Sequence, residues 1–149
     1  TGVKKVGIPE DFKVVSSDVG KVNLGWNGIS YAKGYTIYRS FTYADGTKIT
    51  EQKIADVGAG VTSYTADISD LEEGGTVTFY IKAYDTESGM KVYSEKIATS
   101  IYIKFQPIEN IRWYVSGGNI YVIWDKYECN SMTVSGYNLF GYNDKNKEM

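Results

Sequence analysis

The residues that could do acid–base or metal chemistry in this 149-residue chain are few in kind. The chain has no histidine, which is the commonest general base and metal ligand, and one cysteine. The motifs of nucleophile-elbow hydrolases, zinc proteases and P-loop nucleotide-binding proteins are absent. The 18 acidic residues keep a pair of catalytic carboxylates formally open, but a small closed domain would give such a pair no cleft. We therefore predict no enzyme, no cofactor and no metal site.

Two local features need separate interpretation. The acidic stretch 67–73 offers the hard oxygen ligands that Ca²⁺ takes, but it lacks a regularly spaced Asp-x-Asp-x-Asp-Gly loop, so we predict a solvated turn. Cys129 lies among polar neighbours, and a single cysteine excludes an intramolecular disulfide. An exposed loop thiol and an intermolecular disulfide remain the alternatives for Cys129.

Tyrosine is the residue type that stands out, with 14 copies. Alternation places Tyr38, Tyr80 and Tyr84 on the outward side of two neighbouring strands, where they would form an aromatic stripe. Ring faces of this kind bury the C–H surface of sugars or extended peptides, so the stripe is a candidate binding site for a polysaccharide or a protein. The alternative is that these tyrosines only cover the sheet and favour strand formation.

A repeated strand pattern positions these residues. Val22, Leu24 and Trp26 alternate with smaller or polar residues at the two-residue period of a half-buried strand. The pattern recurs roughly 100 residues later, about the length of one small sandwich domain. Each copy has a proline upstream and a Gly-Tyr strand downstream. The second copy comprises Pro107, Ile120, Val122, Trp124 and Tyr137.

The rest of the chain predicts short strands and no long helix. We expect strands at 12–14, 21–26, 35–40, 48–57, 62–67, 76–85 and 93–99, the fourth of them polar and suited to a sheet edge. On the third strand, Tyr35 and Ile37 should point inward, and Thr36 and Tyr38 outward. The predicted structural core consists of Trp26, Tyr35, Ile37, Tyr64, Leu71, Phe79 and Ile81, with Trp124 in the second copy.

The ordered combination of Trp26, the strand 34–38, the stretch 62–65, the turn 71–74 and the strand 81–84 resembles the fibronectin type III family, particularly its bacterial members. The resemblance implies an all-β, immunoglobulin-like, seven-stranded β-sandwich over 1–104. A partial second sandwich with its first three strands would occupy 105–149. In one departure, Val77 stands where the family usually has a tyrosine, so the hydrogen bond of that corner tyrosine should be absent or supplied by another group.

The resemblance also implies a function. Such domains are non-catalytic spacer and interaction modules of multidomain extracellular or cell-surface proteins, here bacterial, and often occur in carbohydrate-active enzymes. The expected partners are neighbouring domains of a longer chain. The net charge of −2, without a long run of one sign, argues against nucleic acid, and no apolar run is long enough for membrane insertion.

The sequence of the second copy predicts an apolar face that needs a covering partner. Three strands would leave one apolar face without a covering sheet. The residues that need a partner are Ile120, Val122, Trp124 and Leu139, and Ile123 is a further apolar position on the opposite face. Either the natural chain continues into the remaining strands, or two copies form a homodimer through 107–149. A third functional alternative is a strand-exchanging subunit of a surface or phage-like assembly. The candidate self-association residues are Ile120, Val122, Ile123, Trp124 and Cys129.

Overall fold

A computed structural model describes residues 5–128 and 134–141 of the chain. The described residues form antiparallel β-strands and no helix. The chain divides into two compact units, Thr1–Phe105 and Gln106–Met149, one residue beyond the boundary that the sequence suggests. Cys129 lies outside the described residues.

The first unit is a β-sandwich of two antiparallel sheets. The three-stranded sheet has the order β1-β2-β5, and the five-stranded sheet has the order β4-β3-β6, with both β7 and β8 on the far side of β6. The strands are β1 (Glu10–Asp18), β2 (Lys21–Asn27), β3 (Gly34–Thr42), β4 (Lys48–Gly58), β5 (Ser63–Asp67), β6 (Thr76–Glu87), β7 (Met90–Tyr93) and β8 (Ile97–Tyr102).

The core lies between the two sheets and follows the two-residue period of the strands. From β2 come Val22, Leu24 and Trp26, and the side chains that face them include Ile37 and Phe79. Of the predicted core residues, Trp26, Tyr35, Ile37, Leu71, Phe79 and Ile81 are buried. Tyr64 is different: it is only partly buried and packs against the core from its edge.

The last strand of the sandwich is interrupted, so the described residues of the first unit form eight strands where seven were predicted. The break lies at Ser94, between β7 and β8. The buried Ser94 Oγ accepts a hydrogen bond from the Ala83 N–H at 3.0 Å and donates one to the Glu95 carbonyl at 2.7 Å. The serine side chain therefore replaces part of the main-chain ladder, and the strand resumes at Ile97.

Thr36 on β3 points outward and is nevertheless buried. It lies on the outer face of the five-stranded sheet, as alternation predicts, yet it is fully buried. Its Oγ1 donates a hydrogen bond to Asp56 Oδ1 at 2.6 Å, and its cross-strand neighbours are Asp56 and Lys82. Longer side chains on both adjacent strands cover this short one, which strand alternation alone does not reveal.

The part of the second unit that the structure describes contains one β-hairpin, β9 (Arg112–Ser116) and β10 (Asn119–Ile123). Gly117 and Gly118 connect the strands, and both have positive φ, 56° and 79°, as a two-residue type I′ turn requires. The predicted third strand at Tyr137 is wrong, because residues 134–141 contain no strand. The described part of the second unit places no strand beside this segment with which it could pair.

Helices long and apolar enough to cross a bilayer do not occur among the described residues.

Candidate interaction surfaces

The tryptophan of the first unit packs between two aromatic rings. Trp26 meets Phe12 and Tyr35 edge-on, with ring centroids 6.3 and 5.6 Å apart. The Tyr35 hydroxyl accepts a hydrogen bond from the Ile29 N–H at 2.6 Å. We call this arrangement the Trp–Tyr lock: a tyrosine edge-on to the tryptophan, with its hydroxyl on the N–H of the third residue after that tryptophan. It ties the end of β2 to the start of β3.

The second unit contains the same lock. Trp124 and Tyr137 meet edge-on with centroids 5.3 Å apart at 65°, against 62° in the first unit. The Tyr137 hydroxyl accepts a hydrogen bond from the N–H of Tyr127, the third residue after Trp124, at 2.6 Å. The sequence repeat is therefore also a repeat of geometry, although Tyr137 is not part of a strand.

The start of each unit repeats as well. Asp11 has a φ of 54° and follows Glu10, which pairs with the residue after Trp26. Asn110 has a φ of 53° and follows Glu109, whose carbonyl accepts a hydrogen bond from the N–H of the residue after Trp124 at 3.2 Å. Aspartate and asparagine tolerate this left-handed conformation better than most residues. Sequence inspection overlooked this feature, which is marked by a Glu-Asp pair at the start of β1 and a Glu-Asn pair shortly before β9.

One local difference separates the two hairpins. The register of β1 against β2 slips by one residue at Val15, which has no partner, whereas β9 and β10 pair without a slip. A Cβ on Gly25 would lie 2.8 Å from Val15 Cγ2, so the extra residue needs a glycine beneath it. In the second unit no such residue intervenes, and Ile123 occupies the position that Gly25 has in the first.

The outer face of the five-stranded sheet carries the predicted tyrosines. Tyr38 and Tyr80 are direct cross-strand neighbours, and Tyr84 lies opposite Gly34. A Cβ on Gly34 would lie 2.5 Å from the Tyr84 hydroxyl, so the ring occupies the place of a side chain there. Tyr93, which sequence inspection did not assign to the stripe, lies opposite Tyr84 on β7 at a centroid distance of 6.1 Å.

Lysine ammonium groups cover these rings. Lys91 Nζ lies 4.2 Å from the Tyr84 centroid, and Lys96 Nζ lies 4.4 Å from the Tyr80 centroid. Lys82 Nζ lies 5.3 Å from the Tyr38 centroid, within the range of a cation–π contact. A sugar that stacked on this stripe would first have to displace lysines.

Two carboxylates neutralise part of this charge. Asp56 accepts hydrogen bonds from Thr36 and Lys53, and these lower the pKa of Asp56. Lys96 donates to Glu51 at 2.6 Å, which raises the pKa of Lys96. Burial raises the pKa of Tyr38 above its ordinary value. The outer face is therefore a network of paired charges and rings.

The acidic turn after β5 is also occupied by protein contacts. Asp67 Oδ1 accepts hydrogen bonds from the N–H and hydroxyl of Ser69 at 2.9 and 2.6 Å. Asp70 forms a bidentate ion pair with Arg39, which lies in the inward row of β3, and Arg39 also donates to the Asp67 carbonyl at 2.9 Å. In the described part of the chain, no cluster of three metal-ligating side chains occurs. Sequence inspection missed Arg39, whose signal is a charged residue in an apolar row.

One side of the second hairpin is an exposed apolar surface. Ile120 and Val115 are direct partners on one side of the hairpin, as are Val122 and Trp113. Ile120 is 70% exposed and Trp113 is 69% exposed, whereas Val22, the counterpart of Ile120, is 0% exposed. Ile123 lies on the opposite side, with Tyr114 and Tyr121 stacked 5.0 Å apart. Trp124 is only partly buried.

No protein-family model matches the sequence, and no curated protein matches it significantly. Among solved structures, the chain is similar to a protein described as a computer-based redesign of a β-sandwich protein. The two are 22% identical with a TM-score of 0.47, over 64% of this chain and 88% of that one.

Proposed function

We propose that this chain is a non-catalytic spacer and interaction module of a multidomain extracellular or cell-surface protein, of the bacterial fibronectin type III kind. The observation that carries the proposal is the Trp–Tyr lock, which occurs in both units with nearly the same ring distance and angle. Tandem copies of one sandwich pattern are the organisation expected of a spacer built from repeated modules. A carbohydrate-active enzyme is a natural setting for such a module.

The fibronectin type III assignment is supported by the order of the strands. Each sheet of the first unit joins strands that are distant in sequence: β5 pairs with β2, and β6 pairs with β3. Val77, which replaces the usual corner tyrosine, is fully buried in the core. The nearby turn is held instead by main-chain hydrogen bonds, from the Gly74 N–H to the Ile103 carbonyl and from the Ile103 N–H to the Gly75 carbonyl.

Glycan or protein binding through the tyrosine stripe is the second candidate. Clustering of Tyr38, Tyr80 and Tyr84 on one face favours it, and the lysines over the rings weigh against it. Displacing an ammonium group from a ring loses a contact worth about 0.5–1 kcal/mol at an exposed site. The spacer is therefore the better supported of the two.

Retention on insoluble polysaccharides separates these two functions. The unchanged chain, a variant with Tyr38→Ala and Tyr80→Ala, and a control with Tyr102→Ala on β8 should be compared at equal concentration. The spacer predicts no retention of any of the three. Retention that the double variant loses and the control keeps would replace the spacer with the binding module.

A further inference from the structure

The second unit presents an uncharged apolar surface, which we call the open face. Its members alternate along β9 and β10 and share one side of the hairpin: Ile111, Trp113, Val115, Ile120 and Val122. At their exposures these side chains amount to on the order of 500 Å² of apolar surface, the size of the largest patch on a typical monomeric protein, which is often functional. The one charged residue of the hairpin, Arg112, belongs to the opposite side, where it faces Asp125 at 3.9 Å.

The first unit shows what kind of surface covers such a face. The counterparts of Ile120 and Val122 on β2 are Val22 and Leu24, and both are fully buried. The five-stranded sheet covers them with inward side chains such as Ile37 and Phe79. The matching occupant of the open face is therefore the apolar side of another β-sheet.

We propose that the open face is a self-association surface, covered by the open face of a second copy of this chain in a symmetric dimer. A two-fold interface brings the same patch of both copies together, so a charged side chain on the patch would lie near the same charge of the other copy and be repelled by it. The open face carries no ionisable side chain, and self-contact therefore costs no repulsion. Two such patches bury about 1,000 Å² together, the lower limit for a specific interface. This proposal names a partner for the interaction module, and it can fail while the spacer function stands.

The test is the mass of the full chain in solution, measured by light scattering or sedimentation over a wide range of concentration. The unchanged chain should pass from monomer to dimer as concentration rises. Ile120→Glu places a carboxylate in the centre of the open face, and we expect it to weaken dimerisation at least 100-fold. Val115→Lys, on the partner strand, should do the same.

Tyr121→Glu is the matched control, because Tyr121 is the next residue on the same strand and lies on the opposite side of the hairpin. It should dimerise like the unchanged chain. A monomer at every concentration, equal loss of association in the control, or aggregates of mixed size in place of dimers would each overturn the proposal. Amide hydrogen exchange at β9 and β10 in each variant checks that the hairpin that carries the substitution is still formed.

Discussion

The two units place the same strand pattern in opposite surroundings. Val22 is 0% exposed between two sheets, and Ile120, at the same position of the repeat, is 70% exposed on a lone hairpin. The Trp–Tyr lock has the same geometry in both. Local features, such as a ring contact and one hydrogen bond, therefore form without an opposing sheet. Burial of the apolar face does not, because it depends on strands distant in sequence.

The comparison also shows how much of the fold could be predicted from the sequence. The sandwich, most of its strands and the row through Trp26 follow from two-residue alternation, which indicates which side of each strand is apolar. The split at Ser94 and the burial of Thr36 could not be predicted, because both depend on a neighbouring strand. Arg39 and Tyr93 were missed for the same reason: their partners lie on other elements.

The third strand of the second unit teaches the converse. Gly136-Tyr137 repeats Gly34-Tyr35 in sequence, yet only the first pair begins a strand. In the first unit β3 is paired on both sides, by β4 and β6, and the described residues of the second unit provide neither neighbour. A sequence pattern typical of a strand therefore predicts a strand only where neighbouring strands are present to pair with it.

The largest expected difference in stability between the two units is the difference between replacing Trp26 and replacing Trp124. Trp26→Ala should lower the free energy of unfolding of the first unit by roughly 3–5 kcal/mol, because it removes a large buried side chain. Trp124→Ala should leave that transition unchanged, since Trp124 belongs to the other compact unit. Urea unfolding followed by circular dichroism measures both. Equal destabilisation by the two variants would show that the units do not unfold separately.

The next largest loss of stability should come from removing the tyrosine hydroxyls of the two Trp–Tyr locks. Tyr35→Phe leaves the Ile29 N–H without its acceptor at a buried ring, so we expect a loss of about 1–2 kcal/mol. Tyr137→Phe makes the same change in an exposed setting, where water can replace the hydroxyl, and should cost much less. Amide hydrogen exchange at Ile29 and Tyr127 measures the two losses. The reverse order would contradict the difference in burial that separates the two units.

The slipped register of β1 provides a smaller test. Gly25→Ala should destabilise the first unit by about 1 kcal/mol, because the added methyl group meets Val15 Cγ2. Val15→Ala, harmless alone at an exposed site, should recover much of that loss in the double variant. Thermal unfolding of the four proteins in this cycle gives the coupling. Strict additivity would mean that the glycine is needed for some other reason.

The smallest expected loss of stability comes from removing a charge on the outer face of the five-stranded sheet. The open face of the second unit has no charged side chain. The depressed pKa of Asp56 means that its ionised form stabilises the fold above the unfolded pKa of about 3.9, and that this contribution is lost as pH falls through the lower folded value. Asp56→Asn should therefore cost roughly 0.5 kcal/mol at pH 7, with little cost once Asp56 is protonated. Urea unfolding of the unchanged chain and of Asp56→Asn, at pH 7 and at a pH low enough to protonate Asp56, measures this difference. If Asp56→Asn still lowers the free energy of unfolding at acid pH, the loss comes from altered packing or hydrogen bonding and not from the charge of Asp56.

The most direct test of the whole account is oxidative footprinting of the tryptophans by mass spectrometry at several protein concentrations. Trp113, 69% exposed, should be oxidised readily in dilute solution, and Trp26, 5% exposed, should be protected throughout. Raising the concentration should protect Trp113 and leave Trp26 unchanged, because only the open face gains a covering partner. A Trp113 that is protected even at the greatest dilution would contradict the claim that the second unit is an uncovered repeat of the first.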